Sequence, residues 1–195
     1  MLGTRRPERN PAMDEPIRAR YADPWGGFFM VRPGRESDAA RLLQFKQRVF
    51  RETEFLLQGP EDFHSDEDQE AVFLRRFRVS QNSVYLVAET DRRIIGTLSI
   101  YGGYFKRNRH VGHLGMGVLR DVWGGGVGGA LLDQGIDWAR TNPYIEKLSL
   151  QVYRSNERAI RLYLHRGFER EATLADEVRL DSGEYVDLIV MSRRV

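Results

Sequence analysis

The chain has 195 residues, 41% of them apolar, enough to bury one full core with some length to spare, so a single domain is expected. Thirty basic residues against 28 acidic leave a net charge of +2, and the arginines are scattered rather than gathered into a stripe, which gives a nucleic-acid partner little support. The lack of cysteine excludes disulfides and thiolate metal sites, no stretch approaches the roughly 18 apolar residues of a membrane span, and the N-terminal arginines precede no apolar signal core, so a cytoplasmic protein is expected.

Residues 1–27 mix arginines, acids and prolines without an apolar period and read as a flexible leader, which puts the start of the domain at Phe28. Phe28 to Arg32 reads as a strand, and Pro33-Gly34 ends it. A helix is predicted from about Asp38, with Ala39, Leu42, Leu43, Val49 and Phe50 at helical spacing. Glu52 to His64 is a connector. Ser65-Asp66-Glu67-Asp68 then forms a capping-box sequence for a helix to Val79, with acids in its first turn and Arg75, Arg76 and Arg78 near its end, as the macrodipole favours. Val84 to Glu89 and Ile94 to Tyr101 make a hairpin across Thr90-Asp91-Arg92-Arg93, and His110 to Leu119 is a third antiparallel strand.

The next segment, Trp123-Gly124-Gly125-Gly126-Val127-Gly128-Gly129-Ala130, leads from that strand into a helical pattern through Leu131, Leu132, Ile136 and Trp138. Five glycines in six positions allow a ligand to approach the backbone closely, and the unpaired N–H groups of a helix start favour negative charge there. A phosphate or pyrophosphate is the expected guest. A nucleoside-triphosphate loop would need Lys and Ser or Thr after the last glycine, where Ala130-Leu131-Leu132 stands. A nicotinamide dinucleotide site is the rival, since Gly124, Gly126 and Gly129 fit GxGxxG and Glu146 lies downstream, although Glu146 opens a strand rather than closing one.

Asn142-Pro143 stops the helix, and Leu148, Leu150 and Val152 alternate as a strand. A helix from about Asn156 to Arg166 ends at Gly167, strand returns from Phe168, and Glu177 to Leu180 and Tyr185 to Met191 close a hairpin around Asp181-Ser182-Gly183-Glu184. The elements imply an α/β fold, a mixed central sheet of about seven strands flanked by about four helices. Asn156 at the helix start and Tyr163, seven residues on, share one face; taken alone they are a cap and a core tyrosine as readily as ligands.

The stretch Asn156-Glu157-Arg158-Ala159-Ile160-Arg161-Leu162-Tyr163-Leu164-His165-Arg166-Gly167-Phe168 resembles the Asn-x-x-Ala-x-x-Leu-Tyr-x-x-x-Gly-Phe signature of the GCN5-related N-acetyltransferase (GNAT) family. The glycine loop resembles the family's Arg/Gln-x-x-Gly-x-Gly/Ala at Trp123, Gly126 and Gly128, with Trp123 departing from the usual Arg or Gln. The two motifs stand in the family's order, and the resemblance spans about residues 28–193.

The resemblance implies a GNAT-like acyl-CoA N-acyltransferase fold and acetyl-CoA as co-substrate. Its pyrophosphate would lie on Gly124, Gly125, Gly126, Val127, Gly128 and Gly129, with side-chain help from Trp123 in doubt. Its pantetheine arm would run along Met116, Gly117 and Val118 as an added strand, with Asn156 on an amide. Gly115 within that strand marks either a packing bulge or close ligand approach. Tyr163 would act as general acid toward the leaving thiolate, and Glu54 or Glu52 as base for the amine, with His113 a weaker candidate. His110 and His113 face opposite sides of a strand, which argues against a shared metal. The acceptor would be a primary amine of a small molecule or peptide, and a homodimer through the C-terminal hairpin edge is possible. A CoA-binding regulatory module that does not catalyse is a further alternative.

Overall fold

The structure of the protein is a computed structural model that describes residues 19–24, 26–90 and 93–195. In chain order it forms β1 (Ala19–Ala22), β2 (Phe28–Pro33), α1 (Ala39–Glu52), α2 (Glu67–Val79), β3 (Val84–Glu89), β4 (Ile94–Gly102) and β5 (Val111–Val118). There follow α3 (Val127–Thr141), β6 (Lys147–Tyr153), α4 (Glu157–Leu164), β7 (Glu169–Arg179) and β8 (Tyr185–Arg194). The eight strands form one sheet in the order β1-β2-β3-β4-β5-β6-β8-β7. Among the described strands only β5 and β6 are parallel, joined by α3 as the crossover.

Helices cover both faces because each carries an apolar stripe. Leu42, Phe45 and Val49 of α1, with Leu74 and Phe77 of α2, pack on Tyr85, Val87 and Ile94. On the other face Leu131, Leu132, Ile136 and Ala139 of α3 and Ile160 and Tyr163 of α4 meet Leu98, Ile100, Leu148 and Leu150. Each fully buried Leu, Ile or Phe contributes about 2 kcal/mol, so these two clusters outweigh any single turn or cap in setting the architecture. No described helix is long and apolar enough to cross a membrane.

Three expectations are corrected. Residues 19–22 are not leader but an eighth strand, antiparallel to β2. Tyr21 stacks on Phe29 with ring centroids 5.3 Å apart, and Gln134 of α3 donates to its hydroxyl at 3.1 Å. The sheet therefore begins before Phe28, while residues 1–18 of the expected leader are outside the described residues. The capping box of α2 is Asp66 with Gln69, one residue later than read: Asp66 Oδ1 accepts from the Gln69 N–H at 2.8 Å, and Gln69 Oε1 accepts from the Asp66 N–H at 3.2 Å. The β4–β5 ladder carries no bulge at Gly115, which pairs with Ser99 in unbroken register from Gly96↔Val118 to Gly102↔Gly112. The β3–β4 turn closes through the Thr90 N–H to the Arg93 carbonyl at 3.0 Å, its Asp91 and Arg92 lying outside the described residues. The expected pairing edge is β7, the outer strand. Its charged Glu169, Arg170 and Glu171 are exposed and its register shifts between Leu174 and Val178, features that discourage strand addition.

Candidate active site

The parallel pair β5–β6 holds only at Val111↔Lys147, Gly112↔Leu148 and His113↔Ser149. Beyond that point β5 stays with β4 as far as Val118, and β6 stays with β8 as far as Tyr153↔Leu188, so the two strands part. A wedge opens between them in the middle of the sheet. It forms a cavity of about 1040 Å³, at the upper end of the range for small-molecule sites and large enough for an extended ligand.

Along β5 the backbone groups alternate between the two edges. The Leu119 N–H donates to the Ile95 carbonyl and the Val111 carbonyl accepts from Gly103, so odd-numbered residues bond β4. The backbone of Met116 and Val118 therefore faces the wedge. The Val118 carbonyl is already taken by the Trp123 indole, whose Nε1 donates to it at 2.8 Å. This leaves the Met116 N–H and carbonyl and the Val118 N–H for an added strand. Gly115 and Gly117 line the same cavity. A Cβ on Gly117 would come no closer than 3.7 Å to Phe45 and Val49, and one on Gly115 would meet Ser99 Oγ at 3.2 Å. Packing within the protein gives little reason for glycine at 117, whereas close passage of a ligand does.

The glycine loop is built as an anion cradle. Gly124 and Gly126 have φ of +88° and +81°, the left-handed region that L side chains disfavour. Gly126 is the N-cap of α3 and carries no side-chain cap. Its carbonyl receives the Ala130 N–H at 2.9 Å, so the N–H groups of Val127, Gly128 and Gly129 precede the first intrahelical bond. They point where the dipole favours an anion. Gly124, Gly126, Val127, Gly128 and Gly129 line the cavity, as does Trp123. Gly125 is buried behind the loop, its N–H bonded to the Val122 carbonyl at 3.2 Å.

Helix α4 brings the second motif to the opposite wall. Asn156 Oδ1 accepts from the Ala159 N–H at 3.1 Å, so the oxygen caps the helix while the amide nitrogen has no partner among the described residues. One side chain thus serves as cap and keeps a donor toward the cavity. Tyr163 is buried beside Phe168, with ring centroids 5.7 Å apart, and lines the cavity. Its hydroxyl has no hydrogen-bond partner among the described residues, and burial pushes its pKa up, so the phenol holds its proton across the working range of pH.

The cavity is also lined by Phe55, Leu56, Leu57, His113, Ser149, Gln151, Tyr153 and Leu188. Phe55 and Tyr153 meet across it edge to face at 6.2 Å. Among the described residues, none on the lining carries a carboxylate. Glu54 is exposed and falls between two lining residues, Thr53 and Phe55, without lining the cavity itself. Glu52 is engaged elsewhere, its Oε1 on Arg48 and its Oε2 accepting from the Arg120 N–H at 2.8 Å. His113 is exposed on the lining, whereas His110 precedes β5 and its carbonyl accepts from the Glu146 N–H at 2.9 Å. Sequence reasoning missed Phe55, Tyr153 and Arg158; for Tyr153, the end of the strand flanking the wedge was the available signal, while Phe55 sits in an irregular connector with no period to read.

Glu146 also decides against the dinucleotide alternative. It adjoins the start of β5, and the glycine loop follows that strand's other end, eight residues away, or roughly 25 Å at the usual strand rise. A carboxylate there is far from any ribose beside the loop. A wedge in a mixed sheet, a strand edge ready for an extended arm, a diphosphate-type cradle and a phenol without a partner among the described residues suit a CoA thioester better than a dinucleotide.

The chain belongs to the acetyltransferase (GNAT) family, whose model matches residues 47–168. It is 33% identical over 108 residues to the L-amino acid N-acetyltransferase AaaT of Escherichia coli (strain K12), a match covering 55% of this chain and 66% of that relative, just under two thirds of its length. Among solved structures, a GNAT-family acetyltransferase from Streptococcus pneumoniae superposes with a TM-score of 0.83 at 28% identity, over 86% of this chain and 99% of that one. The yncA structure from Salmonella typhimurium, described with its cofactor acetyl-CoA, shares the fold with a TM-score of 0.75 at 21% identity, over 85% of this chain and 93% of that one.

Proposed function

We propose that the protein transfers the acetyl group of acetyl-CoA directly to a primary amine of a small molecule, with an L-amino acid bearing an apolar side chain as the first acceptor class to test. The observation that carries the reading is the wedge, where Met116 and Val118, the cradle residues Gly124 and Gly126 to Gly129, and Tyr163 all line one cavity. When bound, acetyl-CoA supplies an activated acyl carbon. The N–H groups of Met116 and Val118 hold the extended arm and offer donors to negative charge growing on the acyl oxygen. Asn156 donates its amide nitrogen to the same arm. Tyr163 protonates the departing sulfur, and burial keeps it in the protonated form that this step needs.

Most amines arrive protonated, so a base is required. His113 is exposed on the lining where β5 and β6 part, and serves as that base. Glu54, just outside the lining, draws a cationic amine toward the mouth. Apolar Phe55, Leu56, Leu57 and Leu188 with aromatic Tyr153, and the lack of a lining carboxylate, favour an amine with an apolar body over a polycation. The name of the Escherichia coli relative supports the same class. A cytoplasmic setting belongs to this proposal.

The test is thermal unfolding with acetyl-CoA, desulfo-CoA and NADH, followed by an amine screen reading free thiol. At 100 times its dissociation constant a ligand adds about 2.7 kcal/mol, or roughly 5–10 °C for a domain this size. Stabilisation by both CoA species and release of thiol with apolar L-amino acids is expected. Stabilisation by NADH alone overturns the proposal, and CoA binding without transfer to any amine leaves the non-catalytic module.

A further inference from the structure

Position 123 carries an indole where the family commonly has arginine or glutamine, so the loop itself lacks a charged side chain for the phosphates. The indole has another use. Its bond to the Val118 carbonyl fixes the ring at the start of the cradle, and the guanidinium carbon of Arg158 lies 4.7 Å from the ring centroid. Such a contact holds a cation with about 1 kcal/mol.

The setting of Arg158 is otherwise unfavourable. It is the second residue of α4, where the helix dipole disfavours a positive charge. Burial of its surroundings lowers its pKa, although a guanidinium remains charged. The acid beside it, Glu157, pairs with Arg161 at 2.9 Å, and Arg158 has no carboxylate partner among the described residues. The other arginine on the cavity lining, Arg166, is held by both oxygens of Asp133 at 2.7 and 3.1 Å. Among the described residues, then, Arg158 is a cation without a counter-ion on the same cavity as the loop amides.

We propose that Arg158, seated on Trp123, binds a phosphate of the CoA nucleotide and supplies from α4 the charge that the glycine loop lacks at position 123. This rests on the acetyl-CoA reading above. Trp123 is then a platform rather than a lost contact, and the two motifs share one ligand group. The phosphate is either the pyrophosphate or the ribose 3′-phosphate, which share the chemistry of a bidentate guanidinium contact.

The test is calorimetric titration of CoA, 3′-dephospho-CoA and pantetheine into the full chain and into Arg158→Ala, Arg158→Lys and Trp123→Leu. Arg158→Ala should weaken CoA about 10- to 100-fold. Arg158→Lys should recover part of the loss, and Trp123→Leu should lose an intermediate amount. Pantetheine binding should be unchanged throughout. Equal weakening of 3′-dephospho-CoA assigns the contact to the pyrophosphate, and weakening of CoA alone assigns it to the 3′-phosphate. Unchanged CoA binding in Arg158→Ala, or an equal loss for pantetheine, overturns the inference. If the unmodified chain binds no CoA, the acetyltransferase reading falls first and takes this one with it.

Discussion

His113 and Ser149 are the last partners of the parallel pair β5–β6, and the candidate site lies beyond them. One residue earlier, Gly112 stands opposite Leu148, where an added Cβ would meet Ile100 Cγ2 at 2.6 Å and Leu148 Cδ2 at 3.1 Å. The closed end of the wedge is therefore packed to its limit, and its open end exists because β4 and β8 hold the two strands apart. Gly112→Ala should cost about 1–3 kcal/mol through overpacking. A fall of several degrees in melting temperature checks this; an unchanged melt would mean that the strands close with room to spare.

Tyr163→Phe separates chemistry from packing. The hydroxyl has no partner among the described residues and Tyr163 lines the cavity, so its loss breaks no internal bond and should leave the melting temperature nearly unchanged. Loss of the proton donor should lower kcat about 100-fold with little change in the KM for acetyl-CoA. Because burial raises the phenol's pKa, any alkaline fall in the rate should survive in the variant. Unaltered kcat would remove Tyr163 from the reaction.

Gly117→Ala provides the converse case. Space for the methyl exists, since Phe45 and Val49 are both 3.7 Å from the position a Cβ would take, and Gly117 has no positive φ. Removing glycine from a strand even favours folding, by about 0.5 kcal/mol. Gly117 nevertheless lines the cavity beside the proposed thioester path, where added bulk narrows the passage. Activity should fall at least tenfold while the melting temperature holds, and steady-state kinetics beside a melt distinguish this from a simple packing effect.

The glycine loop and the Asn156 to Phe168 stretch were legible because their chemistry is local: a helix start lacks acceptors for its N–H groups, and Asn156 and Tyr163 share a face by helical period alone. Met116 and Val118 were singled out only through the family resemblance, and the ladder parity set by Leu119 and Val111 turns their backbone groups toward the wedge. Strand β1 was hidden because Ala19-Arg20-Tyr21-Ala22 is too short for a period, and Tyr21 finds Phe29 and Gln134 only in three dimensions. The contact between Arg158 and Trp123 spans two motifs that sequence order keeps 35 residues apart. Nothing local in either motif announces it.

The junction of β2 and α1 predicts the response to acid. Arg32, buried, is gripped on one side by Asp38 at 2.6 and 2.8 Å and on the other by Glu89 at 2.6 and 2.7 Å. Burial alone would raise the Asp38 pKa, but the Arg32 hydrogen bonds, the Arg35 N–H at 2.9 Å and Arg41 outweigh it and hold the carboxyl at about 2, below its ordinary 3.8. A carboxylate whose pKa is lower in the folded state stabilises the fold above its unfolded pKa, here by about 2 kcal/mol, and loses that contribution as pH falls from about 4 toward 2. Glu89, also lowered, acts in the same direction. Asp38→Asn should cost about 3 kcal/mol at neutral pH, since it leaves Arg32 half paired in the interior. It should also flatten the decline between pH 4 and pH 2, because the titrating group is gone. Urea unfolding of both proteins at pH 6, 4 and 2.5 measures the two effects together. Parallel declines would show that Asp38 is not the group being protonated.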